Sequence, residues 1–248
     1  MAPKPWRCIA ALLCLISLSG TASAQEAPPQ PPTDRNFLQT LGADMKSVVS
    51  KESLSVLSAA TALALVAAPF DETLTYSASC STFLKTAFEG WARVGGQEWV
   101  LGGGALATYA IGRVAGHQQL AAVGGDLVEA QLVAGAIAIA LKHAIRRTRP
   151  DGEPRSFPSG HSAGAFAAAT VIQRHYGLKG AVPAFTAAVL ISGARLQANS
   201  HYSTDIIMGA ALGVLAGRAA TFDIGGRRLS LAPAVTDAGG LLVSGSIR

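Results

Sequence analysis

Apolar positions in this chain fall into blocks separated by short polar breaks. The first block, Ile9–Leu18, follows Lys4 and Arg7 and precedes Ala22-Ser23-Ala24. A basic start, a short apolar core and a small-residue site have the form of a secretory signal peptide over residues 1–24. Residues 25–34 (QEAPPQPPTD) are Pro-rich and polar and read as a disordered linker. Phe37, Leu38, Leu41, Met45, Val48 and Val49 then recur at helical spacing, with Asp34 placed to cap them. Leu54–Phe70 runs without a charge, long enough to be the best membrane-spanning candidate, and Asp71-Glu72 closes it. Ser77–Arg93 is more polar, with Phe83, Ala87 and Trp91 on one helical face. Glu98–Gly112 and Leu127–Leu141 are apolar again.

Three shorter apolar segments follow a basic loop: Ala163–Ile172, Ala181–Ile191 and Ile206–Gly217. Their length favours helices buried in protein over clean membrane spans. Gly177 and Gly180 sit between the first two, which predicts an antiparallel helix pair. In the tail, Arg228–Ala232 and Leu241–Ile247 partly alternate around Gly239-Gly240, which predicts a β-hairpin. The expected fold is all-α: a bundle of about six main helices over residues 35–220, with a C-terminal tail, 221–248, carrying the hairpin.

Composition sharpens this picture. Half of the 248 residues are apolar and only 14% are charged, against roughly 25% in an ordinary soluble domain. That suggests a membrane protein or an unusually apolar bundle. The signal peptide implies export, to a periplasm or cell envelope, with membrane association. The formal charge of +5 falls to +3 once Lys4 and Arg7 leave with the signal, and the excess is not spread as nucleic-acid binding requires. Cys8 and Cys14 leave too. Cys80 remains alone, so the mature chain has no internal disulfide and no thiol metal site, and Cys80 reads as a small packed residue.

Candidate chemistry gathers in three clusters. Lys142 and Arg149 stand seven apart, two helical turns, in a basic segment ended by Pro150. Pro158-Ser159-Gly160-His161 reads as a helix start, with Ser159 as cap, free N–H groups and the positive end of the dipole to bind an anion, and Gly160 to let a ligand approach. In the third cluster, Asp205 can reach back to His201 and fix its tautomer, with Arg195 upstream and Ser203 or Thr204 as helix cap. Singly, these are a solvated basic face, a helix cap and a charge at a helix N-terminus. Together they supply three cations, an anion-binding helix start and two histidines. That inventory suits phosphoryl transfer without a metal: cations and N–H groups hold the oxygens, one histidine attacks and the other protonates the leaving oxygen. Asp151, Glu153 and Asp205 are the only nearby acids, too few and scattered for a metal cluster.

Lys142-x6-Arg149-Pro150, Pro158-Ser159-Gly160-His161 and Arg195-x5-His201-x3-Asp205 resemble the three-part signature of the type 2 phosphatidic acid phosphatases (PAP2), a family that shares its fold and site with vanadium haloperoxidases. The resemblance covers about Leu127 to Gly217. It departs at Ala194, where the family has Ser. The resemblance implies a PAP2-type bundle in which His201 is the nucleophile, Asp205 orients it, and His161 protonates the leaving group. It makes Lys142, Arg149, Ser159, Gly160 and Arg195 the phosphate-binding set. No metal or other cofactor is expected, and vanadate would bind as an inhibitor. His117, His143 and His175 are expected to be structural or surface residues, and Arg146 and Arg147 to face solvent or lipid headgroups.

The function expected is hydrolysis of phosphate monoesters or diphosphates, lipid-linked ones such as phosphatidic acid, phosphatidylglycerol phosphate or a polyprenyl diphosphate. The alternatives are a vanadium-dependent haloperoxidase and a soluble periplasmic acid phosphatase acting on small phosphate esters. If Leu54–Phe70, Glu98–Gly112 and Leu127–Leu141 all crossed a membrane after signal cleavage, Arg149 would lie in the cytoplasm. The family's envelope members work from the outer side. Either one segment does not span, the signal is retained, or the helices form a periplasmic bundle.

Overall fold

The computed structural model describes residues 51–95, 98–221, 223–224, 227–235 and 241–247. The expected signal peptide, linker and stretch at 37–49 lie outside the described residues. Between residues 51 and 221 the chain is all-α. Helix α1 (Lys51–Ala67) passes through a single 3-10 turn, Ala68–Phe70, into α2 (Asp71–Ser79). Then come α3 (Thr82–Gly95), α4 (Glu98–Val114), α5 (Gln118–Ile145), α6 (Gly160–Gln197) and α7 (Ser203–Ala220). Strands Asp223–Ile224, Arg227–Val235 and Leu241–Ile247, β1 to β3, pair antiparallel in that order, with Leu231 opposite Gly245.

Helix α6 is two arms. Gly177 has φ 61° and ψ −150°, a backbone that glycine adopts at little cost. The chain reverses there. Phe166 and Phe185 meet edge to face with ring centroids 5.8 Å apart, whereas a straight helix would hold them roughly 28 Å apart at 1.5 Å per residue. This is the antiparallel pair expected from the glycines.

The first arm of α6 and α7 form the centre of two apolar layers. On one side Val56, Ala60, Leu84 and Phe88 pack against the second arm and α7. On the other, Ala105, Val128, Ala130 and Ala134 of α4 and α5 pack against Ala163, Ala167 and Ala216. Close approach depends on small residues. A Cβ on Gly213 would lie 2.9 Å from both the Ala167 nitrogen and the Phe166 Cβ, and one on Gly217 would lie 2.6 Å from the Ala167 oxygen. Gly213→Val should therefore cost about 2–3 kcal/mol, the scale of overpacking in a dense core. Gly102→Ala, which meets nothing within 4 Å, should be neutral or slightly stabilising. Thermal melts of the two purified variants in detergent check the contrast.

Several expectations change. Asp71-Glu72 does not end a helix: the chain continues helically to Ser79, and Asp71 is buried with partners. Helix α5 begins at Gln118, well before the apolar run at Leu127, because its acids are accommodated inside. The buried Asp126 accepts on Oδ2 a 2.6 Å contact from His175 Nε2. Cys80, expected to be packed, is exposed in the turn after α2. In α3 Leu84 and Phe88 are buried, while Phe83 points outward.

Much of the outer surface is apolar, including Leu65, Val66, Ile111, Leu132, Ile139 and Val182. Among the described residues, three helical stretches are long and apolar enough to cross a membrane: Ser53–Ser79, Gln118–Ile145 and Gly160–Gln197. The reversal at Gly177 makes the third a hairpin whose arms are each about the length of one crossing.

Candidate active site

The topology brings four chain ends to one end of the bundle. Helix α5 finishes there, the first arm of α6 starts there, its second arm returns there, and α7 starts there. The three sequence clusters ride on these ends. Ser159 caps α6, its hydroxyl accepting the Ser162 N–H at 3.3 Å. The Ser159 N–H donates to the Asp205 carbonyl at 2.9 Å, which ties the start of α6 to the start of α7. Gly160 and His161 form the first turn of α6 and are half-buried. Lys142 sits in the last turn of α5, where its Nζ donates to the Arg155 carbonyl at 2.8 Å. That bond and the Ser156 N–H to Arg147 O bond, 2.7 Å, close the loop between α5 and α6 over the site.

His201 and Asp205 are both buried. His201 Nδ1 lies 3.7 Å from Asp205 Oδ2, within ion-pair reach but longer than a good hydrogen bond. The buried Ser156 hydroxyl stands between them: it donates a short hydrogen bond to Asp205 Oδ2 and lies 3.5 Å from His201 Nδ1. Nδ1 is therefore directed at Ser156 and Asp205, and Nε2 is left for chemistry. Burial first, then the charges of Lys142 and Arg149, hold the imidazole below its ordinary pKa against the pull of Asp205. Burial alone would raise Asp205. The His201 ring, the Ser156 hydroxyl, the Tyr202 N–H at 2.9 Å and the Arg147 charge outweigh it and hold the carboxyl below its usual range.

The cations converge as the motifs require. Lys142 and Arg149 both act on His201, and Arg149 and Arg195 are near enough to repel one another. The Nε atoms of Arg149 and Arg195 are buried and make no hydrogen bond. A buried guanidinium donor without an acceptor is costly, and a phosphate oxygen would satisfy it. Among the described residues no group of three or more His, Cys, Asp or Glu is placed to hold a metal ion.

Residues 124–227 match the sequence profile of the PAP2 superfamily. The chain is similar to a lipid A 1-phosphatase of Porphyromonas gingivalis, 39% identical over 87 residues, covering 34% of this chain and 20% of that protein. A lipid A 4'-phosphatase of Helicobacter pylori is 31% identical over 97 residues, covering 34% of this chain and 49% of that protein. The chain thus spans about a fifth and about half the length of these two relatives. The crystal structure of Aquifex aeolicus LpxE shares the fold, with a TM-score of 0.51 and 24% identity over 60% of this chain and 92% of that one.

Two charged residues at this site were not anticipated, and one expectation is overturned. Arg147 does not face solvent or headgroups. Its guanidinium donates to Asp205 Oδ1 at 2.9 Å, Asp71 Oδ2 at 2.9 Å and Thr204 Oγ1 at 2.7 Å, and lies 4.0 Å over the Tyr202 ring. Asp71 in turn accepts from the Ser203 hydroxyl at 2.5 Å, the Thr204 hydroxyl at 2.5 Å and the Thr204 N–H at 3.0 Å. Ser203 and Thr204, expected as caps, instead donate to a carboxylate that caps α7 from another helix. Neither Asp71 nor Arg147 stands out in sequence: the pair is 76 positions apart, and Arg147 is one of several arginines in a row.

Proposed function

We propose that this chain is a metal-independent phosphatase that hydrolyses phosphate monoesters or diphosphates of membrane lipids through a phosphohistidine at His201. The observation that carries the reading is the buried His201–Asp205 pair set beside Lys142 and two arginines, Arg149 and Arg195, whose buried Nε atoms lack an acceptor. Lys142, Arg149, Arg195, the Ser159 hydroxyl and the Gly160 N–H hold the phosphate oxygens and the charge that grows on them. His201 Nε2 attacks phosphorus as the bond to the leaving oxygen breaks, and His161 gives that oxygen its proton. His161 then takes a proton from water, whose oxygen displaces His201 and frees inorganic phosphate. Asp205 stays ionised and steadies the imidazole that forms the N–P bond.

The domain reading that goes with this is a signal peptide at 1–24, a linker at 25–34, a catalytic bundle at 35–220 and an accessory tail at 221–248, in an exported envelope protein. The apolar outer surface and the membrane-length helices support a substrate delivered from a bilayer. The names of the two curated relatives place lipid A first on a substrate panel.

The test is phosphate release by the full chain in detergent. Lipid A, phosphatidic acid, phosphatidylglycerol phosphate and a polyprenyl diphosphate are compared with p-nitrophenyl phosphate. The expected result is faster release from a lipid, unchanged by EDTA and blocked by vanadate. A requirement for added divalent metal contradicts the mechanism. A preference for the soluble ester contradicts the lipid substrate. Halide oxidation with vanadate and peroxide, without phosphate release, would establish a haloperoxidase instead.

A further inference from the structure

Asp71 lies outside residues 124–227, on a helix the superfamily match does not include. It is nevertheless 4% exposed at the catalytic end and accepts four hydrogen bonds. Three come from the first turn of α7, and one comes from Arg147. That satisfies the carboxylate and also supplies the α7 N-terminus with an acceptor, where a negative charge is favoured. Arg147 also engages Asp205. One face of its fork meets Asp71 and the other meets Asp205, while its plane rests on Tyr202. Arg146 before it is left-handed, with φ 53°, and closes α5. The chain therefore turns out of the helix with Arg146 exposed and Arg147 directed inward.

We propose that Arg147 and Asp71 are positioning residues for the reaction: Arg147 holds the free oxygen of Asp205, and Asp71 holds Arg147 and the first turn of α7. Asp205 then presents its other oxygen to Ser156 and His201 in a fixed orientation. The clamp also sets how much of the Asp205 charge His201 feels. One cation shared between two carboxylates neutralises each in part, so both members of the clamp tune the imidazole without touching substrate. The inference rests on His201 being the nucleophile. It adds that the N-terminal helices are part of the catalytic unit rather than an accessory anchor.

The charged groups that bear on His201 are Asp205 from α7, Lys142 from α5 and Arg149 from the loop. Those that bear on Asp205 are Arg147 and His201. Against that background the two substitutions push in opposite directions. In Arg147→Met, Asp205 is less neutralised, imidazolium is favoured, and the acid limb of kcat/KM moves to higher pH. In Asp71→Asn, Arg147 acts on Asp205 alone, imidazolium is disfavoured, and the limb moves to lower pH. Both should lower kcat, by about 10- to 100-fold, with KM within about 2-fold, because neither residue meets the substrate. Arg147→Lys should recover part of the loss.

The experiment measures the pH profile of phosphate release for the four full-length proteins, alongside NMR titration of the His201 ring in detergent. The titration does not depend on turnover. Opposite displacements of the His201 titration in Arg147→Met and Asp71→Asn support the clamp. Displacements in the same direction, or none in either variant, overturn it. If Arg147→Met does not fold, Asp71→Asn and Arg147→Lys decide alone: a downward displacement in the first and partial activity in the second support the clamp, and their absence overturns it. If wild type releases no phosphate while the titrations still move apart, the functional reading fails and the clamp stands.

Discussion

His201→Ala is expected to reduce phosphate release by at least about 10³-fold, with the protein still folded. The imidazole is the group placed to form the covalent bond, with the buried Asp205 carboxylate behind it and Lys142 and Arg149 near it. The loss should fall on kcat rather than on KM, because Lys142, Arg149 and Arg195 remain to bind the phosphate. Burial and two neighbouring cations favour the neutral ring, so the substitution removes no buried charge. A melt of His201→Ala should still show a cooperative unfolding transition. Full activity in this variant would remove the basis for the proposed reaction.

Asp205→Ala should be costly in both currencies. Its carboxylate accepts from Arg147, Ser156 and the Tyr202 N–H. Without it those donors lose an acceptor, and Arg147 keeps Asp71 and Thr204. The expected cost is about 3 kcal/mol, typical of breaking a buried pair from one side, together with about 10²–10³-fold in kcat from an unsteadied imidazole. The stability part depends on pH. Asp205 has a depressed carboxyl pKa in the folded protein, so its contribution is complete above the unfolded value of about 4 and declines as pH falls below it toward the folded one. The difference in melting temperature between wild type and Asp205→Ala should be full at neutral pH and shrink only in strong acid. Melts of both proteins across pH check this.

The parts of the site legible in sequence were those whose chemistry is local. Ser159-Gly160-His161 announces a capped helix start, and the structure caps α6 there. His201 and Asp205 are four apart, close enough for pairing to be read directly. The hairpin at Gly177 was legible because glycine is the residue that meets a positive φ without penalty. What sequence could not show was which of several similar residues turns inward. Arg146 and Arg147 are identical in chemistry and adjacent. A left-handed residue at the end of α5 decides which one meets Asp71, and nothing local marks it. Asp71 looked like a helix boundary because Asp and Glu after an apolar run usually are. Its burial follows from a contact with α7 more than a hundred residues away. Helix lengths were underestimated for a related reason. Asp126 and His175 interrupt apolar runs on separate helices, and each is tolerated only because the other is opposite.

The central claim is covalent. Single-turnover reaction of the full chain with a substrate carrying radiolabelled phosphate, quenched in base, should leave acid-labile label on His201. The label should be absent in His201→Ala and appear with no metal added. No protein-bound label during active turnover, or label on any other residue, would contradict the account.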